Sequence, residues 1–322
     1  METISFIIPC YMSEKIICSV VDEIKKNISY LNEYNYEIIL VNDNSRDNVW
    51  NVIVDLCKID SNIVGINLSK NFGQPSAVMA GLSKSNGNYI VTLDDDGQSP
   101  IDALKDIIEK LKSGNYDVVY GLCKDAKFGL FRRLGSKLNG LMANSMFNRP
   151  KDCRIISFCI MKRYIVNEIL KYTHPYTYMS GLVYRTTSNI GYLNVEHRVR
   201  KIGKSGYSLK KLINVWMNGF TSFSIKPLRI IAFIGFIFSF LGFIFGLLTI
   251  INKIISPNII TGSIPMISIS LFISGINFIF LGLLGEYVGR IYMSINYTPQ
   301  YIIKECINGR KKYGYKNFKK NT

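Results

Sequence analysis

Tyr89-Ile90-Val91-Thr92-Leu93-Asp94-Asp95-Asp96-Gly97-Gln98 is a β-rich apolar run that ends on three consecutive carboxylates. The run has the composition of a strand, and the carboxylates stand at its carboxyl end. Like charges side by side repel, and a hard divalent cation is the usual means of neutralising them, since Mg²⁺ and Mn²⁺ take carboxylate oxygens together with substrate phosphates. With one residue between them, Asp94 and Asp96 project to one face if the backbone stays extended. A solvated acidic turn is the alternative reading of the same three residues.

Outward from this segment the chain alternates strand and helix patterns. Ser5 to Pro9, Glu37 to Asn42, Ile63 to Leu68, Tyr89 to Leu93 and Asp117 to Tyr120 read as strands, and Ile16, Ile17, Val20, Val21, Ile24 and Ile28 fall at helical spacing. Such alternation predicts an α/β fold, a doubly wound sheet with a mostly parallel core. Ligands of such sheets sit beyond the carboxyl ends of the strands. Two further strand ends therefore matter: Pro9-Cys10-Tyr11-Met12-Ser13-Glu14 and Asn42-Asp43-Asn44-Ser45-Arg46-Asp47. Ser13 and Asp47 are also ordinary helix N-cap residues, so each loop has a structural reading beside the functional one.

The 322 residues carry 39 Lys and Arg against 23 Asp and Glu, a formal net charge of +16, which favours anionic partners without choosing among them. Seven cysteines, Cys10, Cys18, Cys57, Cys123, Cys153, Cys159 and Cys306, have no zinc spacing and an odd count, so reduced thiols are expected. The amino terminus lacks the basic and apolar regions of a signal peptide. Ile230 to Ile251 and Ile264 to Leu284, 22 and 21 residues, contain no charge, and each can cross a hydrocarbon core of about 30 Å. The link between them carries only Lys253. Lys201, Lys204, Lys210, Lys211, Lys226 and Arg229 precede the pair, and Arg310, Lys311, Lys312, Lys316, Lys319 and Lys320 follow it, which predicts both termini on the cytoplasmic side of the membrane. Leu209, Leu212, Ile213, Trp216 and Phe220 describe an interfacial amphipathic helix just before the first span. The expected division is a soluble domain over 1–207, a juxtamembrane segment over 208–229, a two-helix anchor over 230–284 and a basic tail over 285–322.

Asp94-Xaa-Asp96, the Pro9 and Tyr11 loop, the Asp43, Asn44 and Ser45 loop, and Lys70-Asn71-Phe72-Gly73-Gln74 together resemble the inverting family 2 glycosyltransferases of the GT-A fold. The second half resembles their polyprenyl phosphate branch, through Arg200-Lys201-Ile202-Gly203-Lys204-Ser205-Gly206-Tyr207, Pro227-Leu228-Arg229, Gly285 to Tyr292 and Pro299-Gln300-Tyr301. The resemblance covers nearly the whole chain and implies transfer of a sugar from a UDP- or GDP-linked donor to a polyprenyl phosphate. It further implies a Mg²⁺ or Mn²⁺ ion on Asp94, Asp96 and Gln98. Donor contacts are implied at Pro9, Tyr11, Asp43, Asn44, Asn71, Asp95 and Gln98. Lipid-phosphate contacts are implied at Arg132, Arg133, Ser136, Arg200 and Ser205. Asp152 joins Asp94 and Asp96 as a candidate catalytic carboxylate. Four positions depart from the pattern: Met12 stands where the branch usually has Asn, Gly97 where Leu is common, Cys159 where many relatives have Arg, and Ser157 where some have Asp. A processive polysaccharide synthase is disfavoured because neither Trp50 nor Trp216 follows an Arg. A non-catalytic nucleotide-sugar-binding protein is disfavoured by the intact acidic cluster. Nucleic acid is not expected as a partner, because topology already accounts for much of the positive charge. The sequence leaves a homo-oligomer open.

Overall fold

The computed structural model of the chain describes residues 1–124, 153–175, 177–196, 263–296, 298–308 and 311–314, with single helical positions between 233 and 255. It forms two compact units, one of Met1–Leu209 with Pro299–Thr322 and one of Lys210–Thr298.

The first unit is built on a nine-stranded sheet of order β7-β5-β6-β4-β1-β2-β3-β8-β9. Strands β1 (Glu2–Cys10), β2 (Tyr34–Asn42), β3 (Ile63–Leu68) and β4 (Tyr89–Thr92) are mutually parallel. They are buried on both faces, which is why they read as continuous apolar runs. Helices α1 (Ile17–Ile28), α2 (Val49–Ile59) and α4 (Leu104–Ser113) contribute Ile17, Val20, Ile53, Ile107 and Leu111 to the core on one face. Helix α3 (Gln74–Leu82) lies on the other and is buried all round from Ser76 to Leu82. Gly81 permits that approach, because a Cβ there would run into Ile7 of β1 and Val41 of β2. A short 3-10 turn, Ile101–Ala103, leads into α4.

All five expected strands are present, β5 being Val118–Lys124. Four more were not anticipated. Strand β6 (Cys153–Lys162) inserts antiparallel between β4 and β5, and β7 (Ile190–Asn194) lies parallel to β5. Helices α5 (Arg163–Leu170) and α6 (Met179–Thr186) connect them. The stretch read from the sequence as a basic tail is arranged differently. Residues 303–308 form β8 (Ile303–Asn308), antiparallel to β3, and β9 (Lys311–Gly314) pairs with β8. The Ser69 N–H donates to the Ile302 carbonyl at 2.9 Å, so pairing begins just before the strand. The buried Gln300 donates to the His174 carbonyl at 3.2 Å and to the Thr177 hydroxyl, which fixes the incoming chain.

In the second unit helix α7 (Ser263–Ile295) runs for 33 residues. Pro265 sits in its first turn, where a missing N–H costs no intrahelical bond. The expected boundary at residue 284 therefore falls inside a continuous helix. Among the described residues no helix is long and apolar enough to cross a membrane. The first part of α7, Ile264 to Leu284, is free of charge in the sequence. Most of the first expected span lies outside the described residues, as does the amphipathic segment over 208–222. Of the first span, Gly235 is packed against the Phe280 ring of α7.

Candidate functional site

The carboxyl ends of β1, β2, β3 and β4 each open into a loop, and the four loops are joined by side chains. From the β1 loop, the Tyr11 N–H donates to Asp95 Oδ2 at 2.8 Å and the Met12 N–H to Ser45 Oγ at 2.8 Å. The Glu14 N–H donates to Asp47 Oδ2 at 2.9 Å, and Glu14 Oε2 accepts from the Asn48 N–H at 3.1 Å. Ser45 Oγ in turn donates to Asp47 Oδ1 at 2.6 Å. Asp47 Oδ1 also lies 3.4 Å from the Val49 N–H in the first turn of α2, but the N-cap position there is Asn48 and in α1 it is Ile16, so neither Asp47 nor Ser13 is the N-cap expected of it.

Asp43 is buried, and both its oxygens are engaged by the loop after β3, with the Phe72 N–H at 2.7 Å and the Gly73 N–H at 2.9 Å. Burial raises its pKa from the ordinary value, against the pull of those two donors. Asn71 Nδ2 donates to the Asp43 carbonyl at 3.2 Å. The carboxylate thus latches the 70–74 loop to the end of β2. Gly73, at φ 87°, supplies the left-handed turn the latch requires. Asn44 is exposed with φ 49°, and Met12, also exposed, has φ 58°.

The acidic triplet spreads rather than clusters. Asp94 Oδ1 accepts from Gln74 Nε2 at 2.6 Å, Asp95 turns back to the Tyr11 N–H, and Asp96 Oδ1 accepts from the Gln98 N–H at 3.0 Å. Ser99 Oγ accepts from the Asp94 N–H at 3.2 Å, and Gly97, at φ 72°, makes the turn a side chain would strain. Burial pushes Asp94 up to about 6, and the charges of Asp96 and Asp95 add to the rise against hydrogen bonds from Ser157 and Gln74. Asp95 is also raised, chiefly by burial.

Among the described residues no three His, Cys, Asp or Glu side chains converge as a ready-made metal cluster. That arrangement suits Mg²⁺ or Mn²⁺, which keep several waters and are held by one or two carboxylates plus substrate phosphates. Asp94 and Asp96, with Gln98 beside them, are the residues here that could offer oxygen donors to such an ion.

Pro9 is buried at the end of β1 and Tyr11 is exposed in the following loop. Pro9, Tyr11, Asp43, Asn44, Asn71, Asp94, Asp95, Asp96 and Gln98 all lie at these strand ends. Asp152, Arg132, Arg133, Ser136, Arg200 and Ser205 lie outside the described residues. Gln74, Ser45 and Ser157 were not singled out as site residues, although Gln74 and Ser45 fall inside motifs that were quoted. Cys159 is buried in β6, its Sγ 3.1 Å from Thr92 Oγ1, and burial pushes the thiol up to about 11. A cavity of about 490 Å³ lined by Thr3, Tyr34, Glu37 and Asn62 lies at the amino ends of the strands, away from all of these residues.

Four parallel strands whose carboxyl-end loops converge on an acidic turn form an α/β domain of the GT-A kind. Residues 5–170 match the family described as Glycosyl transferase family 2, and residues 226–291 match the GtrB C-terminal hairpin. The chain belongs to glycosyl transferase family 2 and is a glycosyltransferase. A Bacillus subtilis protein named uncharacterized glycosyltransferase YkcC is 32% identical over 321 residues, covering 97% of this chain and 95% of its own. The undecaprenyl-phosphate 4-deoxy-4-formamido-L-arabinose transferase of Proteus mirabilis is 30% identical over 311 residues, covering 96% and 95%. The fold is also that of glucosyl-3-phosphoglycerate synthase from Mycobacterium tuberculosis, crystallised with Mn²⁺ and UDP-glucose. Its TM-score is 0.50 at 15% identity, over 67% of this chain and 78% of that one.

Proposed function

We propose that the protein transfers a sugar from a nucleotide-sugar donor to undecaprenyl phosphate or a similar polyprenyl phosphate at the cytoplasmic face of a membrane. The observation that carries the reading is the joining, in one chain, of a strand-end carboxylate site with an apolar C-terminal hairpin, over a length nearly all of which is similar to proteins named for undecaprenyl phosphate. A lipid acceptor gives both parts a purpose, whereas a soluble acceptor leaves the hairpin without one. The exposed apolar side chains of α7, among them Met266, Ile269, Ile273 and Ile279, support insertion of the hairpin in a bilayer. Both termini are then cytoplasmic.

A phosphate acceptor is already an anion near neutral pH, so its oxygen can attack the anomeric carbon without a protein base. Asp94 and Asp96 would hold a divalent ion that stabilises charge on the departing nucleoside diphosphate as a Lewis acid. The loops after β1, β2 and β3 hold the base and ribose through backbone and side-chain groups already fixed in place by Asp43, Ser45, Asp47 and Asp95. Arg132, Arg133, Ser136, Arg200 and Ser205 are assigned to the lipid phosphate, for which guanidinium forks are well suited. Asp152 is kept as a further carboxylate of the site. Single displacement inverts the anomeric configuration.

The test is transfer of radiolabelled sugar to undecaprenyl phosphate by membranes containing the full chain, run across several UDP- and GDP-sugars with Mg²⁺ or Mn²⁺. One donor is expected to give a lipid-phosphate sugar. Polymer formation, or transfer to water-soluble acceptors alone, would overturn the reading.

A further inference from the structure

Asn42, Asn67 and Glu305 form a row across three strands. Asn42 of β2 is the register partner of Asn67 of β3, and Asn67 is the register partner of Glu305 of β8. Their side chains are bonded in the same order. Asn42 Nδ2 donates to Asn67 Oδ1 at 2.8 Å, and Asn67 Nδ2 donates to Glu305 Oε1 at 3.0 Å. At the other end Asn42 Oδ1 accepts from the Ser45 N–H at 3.0 Å, and Ser45 Oγ receives the Met12 N–H. Both amides are buried, Asn42 at 4% and Asn67 at 7% exposure.

The two ends of this row dictate its direction. A backbone N–H can only donate, so Asn42 must turn its oxygen to Ser45 and its NH₂ to Asn67. An ionised carboxylate can only accept, so Asn67 must turn its NH₂ to Glu305 and its oxygen to Asn42. Glu305 and the Ser45 N–H thus demand the same orientation of the two amides, one from each end of the row. Without Glu305 the row is oriented from the Ser45 end alone, and the Asn67 NH₂ loses the acceptor on β8 that holds it in place. We propose that Glu305, on the C-terminal strand that follows the hairpin, is a positioning residue for the nucleotide-sugar site, setting the Asn42–Asp47 loop through Asn67 and Asn42. The inference rests on the donor-site reading above. It makes the site depend on a strand 238 residues away in sequence from the residue it holds.

The experiment uses the full chain in detergent with Mg²⁺. Binding of UDP and of GDP is measured by calorimetry beside melting temperature and, in membranes, the KM for undecaprenyl phosphate. Loss of one net hydrogen bond corresponds to about fivefold weaker binding of the preferred nucleotide in Glu305→Ala. Glu305→Gln, which can still present an oxygen, is expected to recover binding to within about twofold of the parent. The KM for the lipid should not move. Hydrogen exchange at residues 42–48 should quicken in Glu305→Ala and recover in Glu305→Gln. Lys304→Ala, an exposed neighbour on the same strand, serves as the control and should bind nucleotide as the parent does. Parental affinity in Glu305→Ala, equal losses in the Ala and Gln variants, or a like loss in Lys304→Ala would each overturn the proposal in favour of simple strand docking. A parent that binds UDP or GDP but transfers nothing to polyprenyl phosphate would sink the acceptor reading and leave the Glu305 comparison standing. A parent that binds neither nucleotide would overturn both.

Discussion

The strand-end crevice and helix α7 are finished to different degrees. In the crevice each loop answers another: Asp43 is met by the loop after β3, Asp47 by the β1 loop, and Asp95 by Tyr11. In the acidic turn three carboxylates stand side by side, and burial together with the charges of its neighbours raises the pKa of Asp94. Helix α7 has the opposite character, with large apolar side chains such as Met266 and Ile279 at 77% and 67% exposure. Polar parts can be completed by the chain itself, because hydrogen bonds are short-range and mutual. An apolar helix face in water has no such internal remedy and requires a partner of its own polarity. The crevice thus waits for a small charged ligand and the helix for an apolar environment.

The largest effect should follow from removing the charge the crevice leaves open. Asp96→Asn and Asp94→Asn are expected to lower turnover by about a hundredfold or more, since losing transition-state charge stabilisation costs several kcal/mol. Initial rates at saturating Mg²⁺ or Mn²⁺ measure this, and rates within a few-fold of the parent would break the metal assignment. Next in size is Ile273→Lys in α7, where a charge at the centre of a span costs about 2.5 to 3.5 kcal/mol. The share of protein that resists carbonate extraction from membranes should fall. An unchanged share would mean that this face does not meet lipid.

A pH dependence sharpens the same contrast within the crevice. The folded-state pKa of Asp94, about 6, lies above the unfolded value of the side chain, so the folded chain holds this proton more tightly. Its favourable contribution is full below the unfolded pKa, at about 4, and is lost as pH rises through about 6. In chelator, Asp94→Asn should therefore flatten the melting temperature against pH across that window. Added Mn²⁺, which binds the ionised form, should raise the melting temperature more above the window than within it. Equal Mn²⁺ shifts on both sides would detach Asp94 from the ion.

How far the sequence disclosed this arrangement depends on how local each cause is. Strands β1 to β5 declare themselves by short apolar runs ending in turn residues, and the acidic turn by the adjacency of Asp94, Asp95 and Asp96. Strand β6 is as apolar as they are, but its antiparallel place between β4 and β5 is decided by distant pairing that no window of sequence contains. Strands β8 and β9 were masked by charge. Lys304, Glu305, Lys311 and Lys312 read as a tail, yet charge is also what keeps an edge strand from recruiting foreign strands. Within the site, Asp47 reads from the sequence as an N-cap, a position that Asn48 takes instead. The bond of Asp47 to the Glu14 N–H was not legible, because it depends on two loops 33 residues apart coming together.

The smallest expected effect compares one residue of the β1 loop with one of the β2 loop. Met12 and Asn44 both adopt left-handed backbone, at φ 58° and 49°. Asn tolerates this region because its short polar side chain can bond locally, whereas an unbranched apolar side chain has no compensation there. Met12 is also 59% exposed, so replacing it forfeits little burial. Met12→Asn is thus expected to stabilise the first unit by about 0.5 to 1 kcal/mol, a rise of about 2 °C in melting temperature. Asn44→Met should lower it by a similar amount, because it installs in the second loop the strain present in the first. The Met12 N–H bond to Ser45 needs only the backbone, so Met12→Asn should leave it intact and nucleotide affinity with it. Shifts of the same sign in the two variants would show that the loops tolerate left-handed turns through their hydrogen bonds, whatever side chain occupies them.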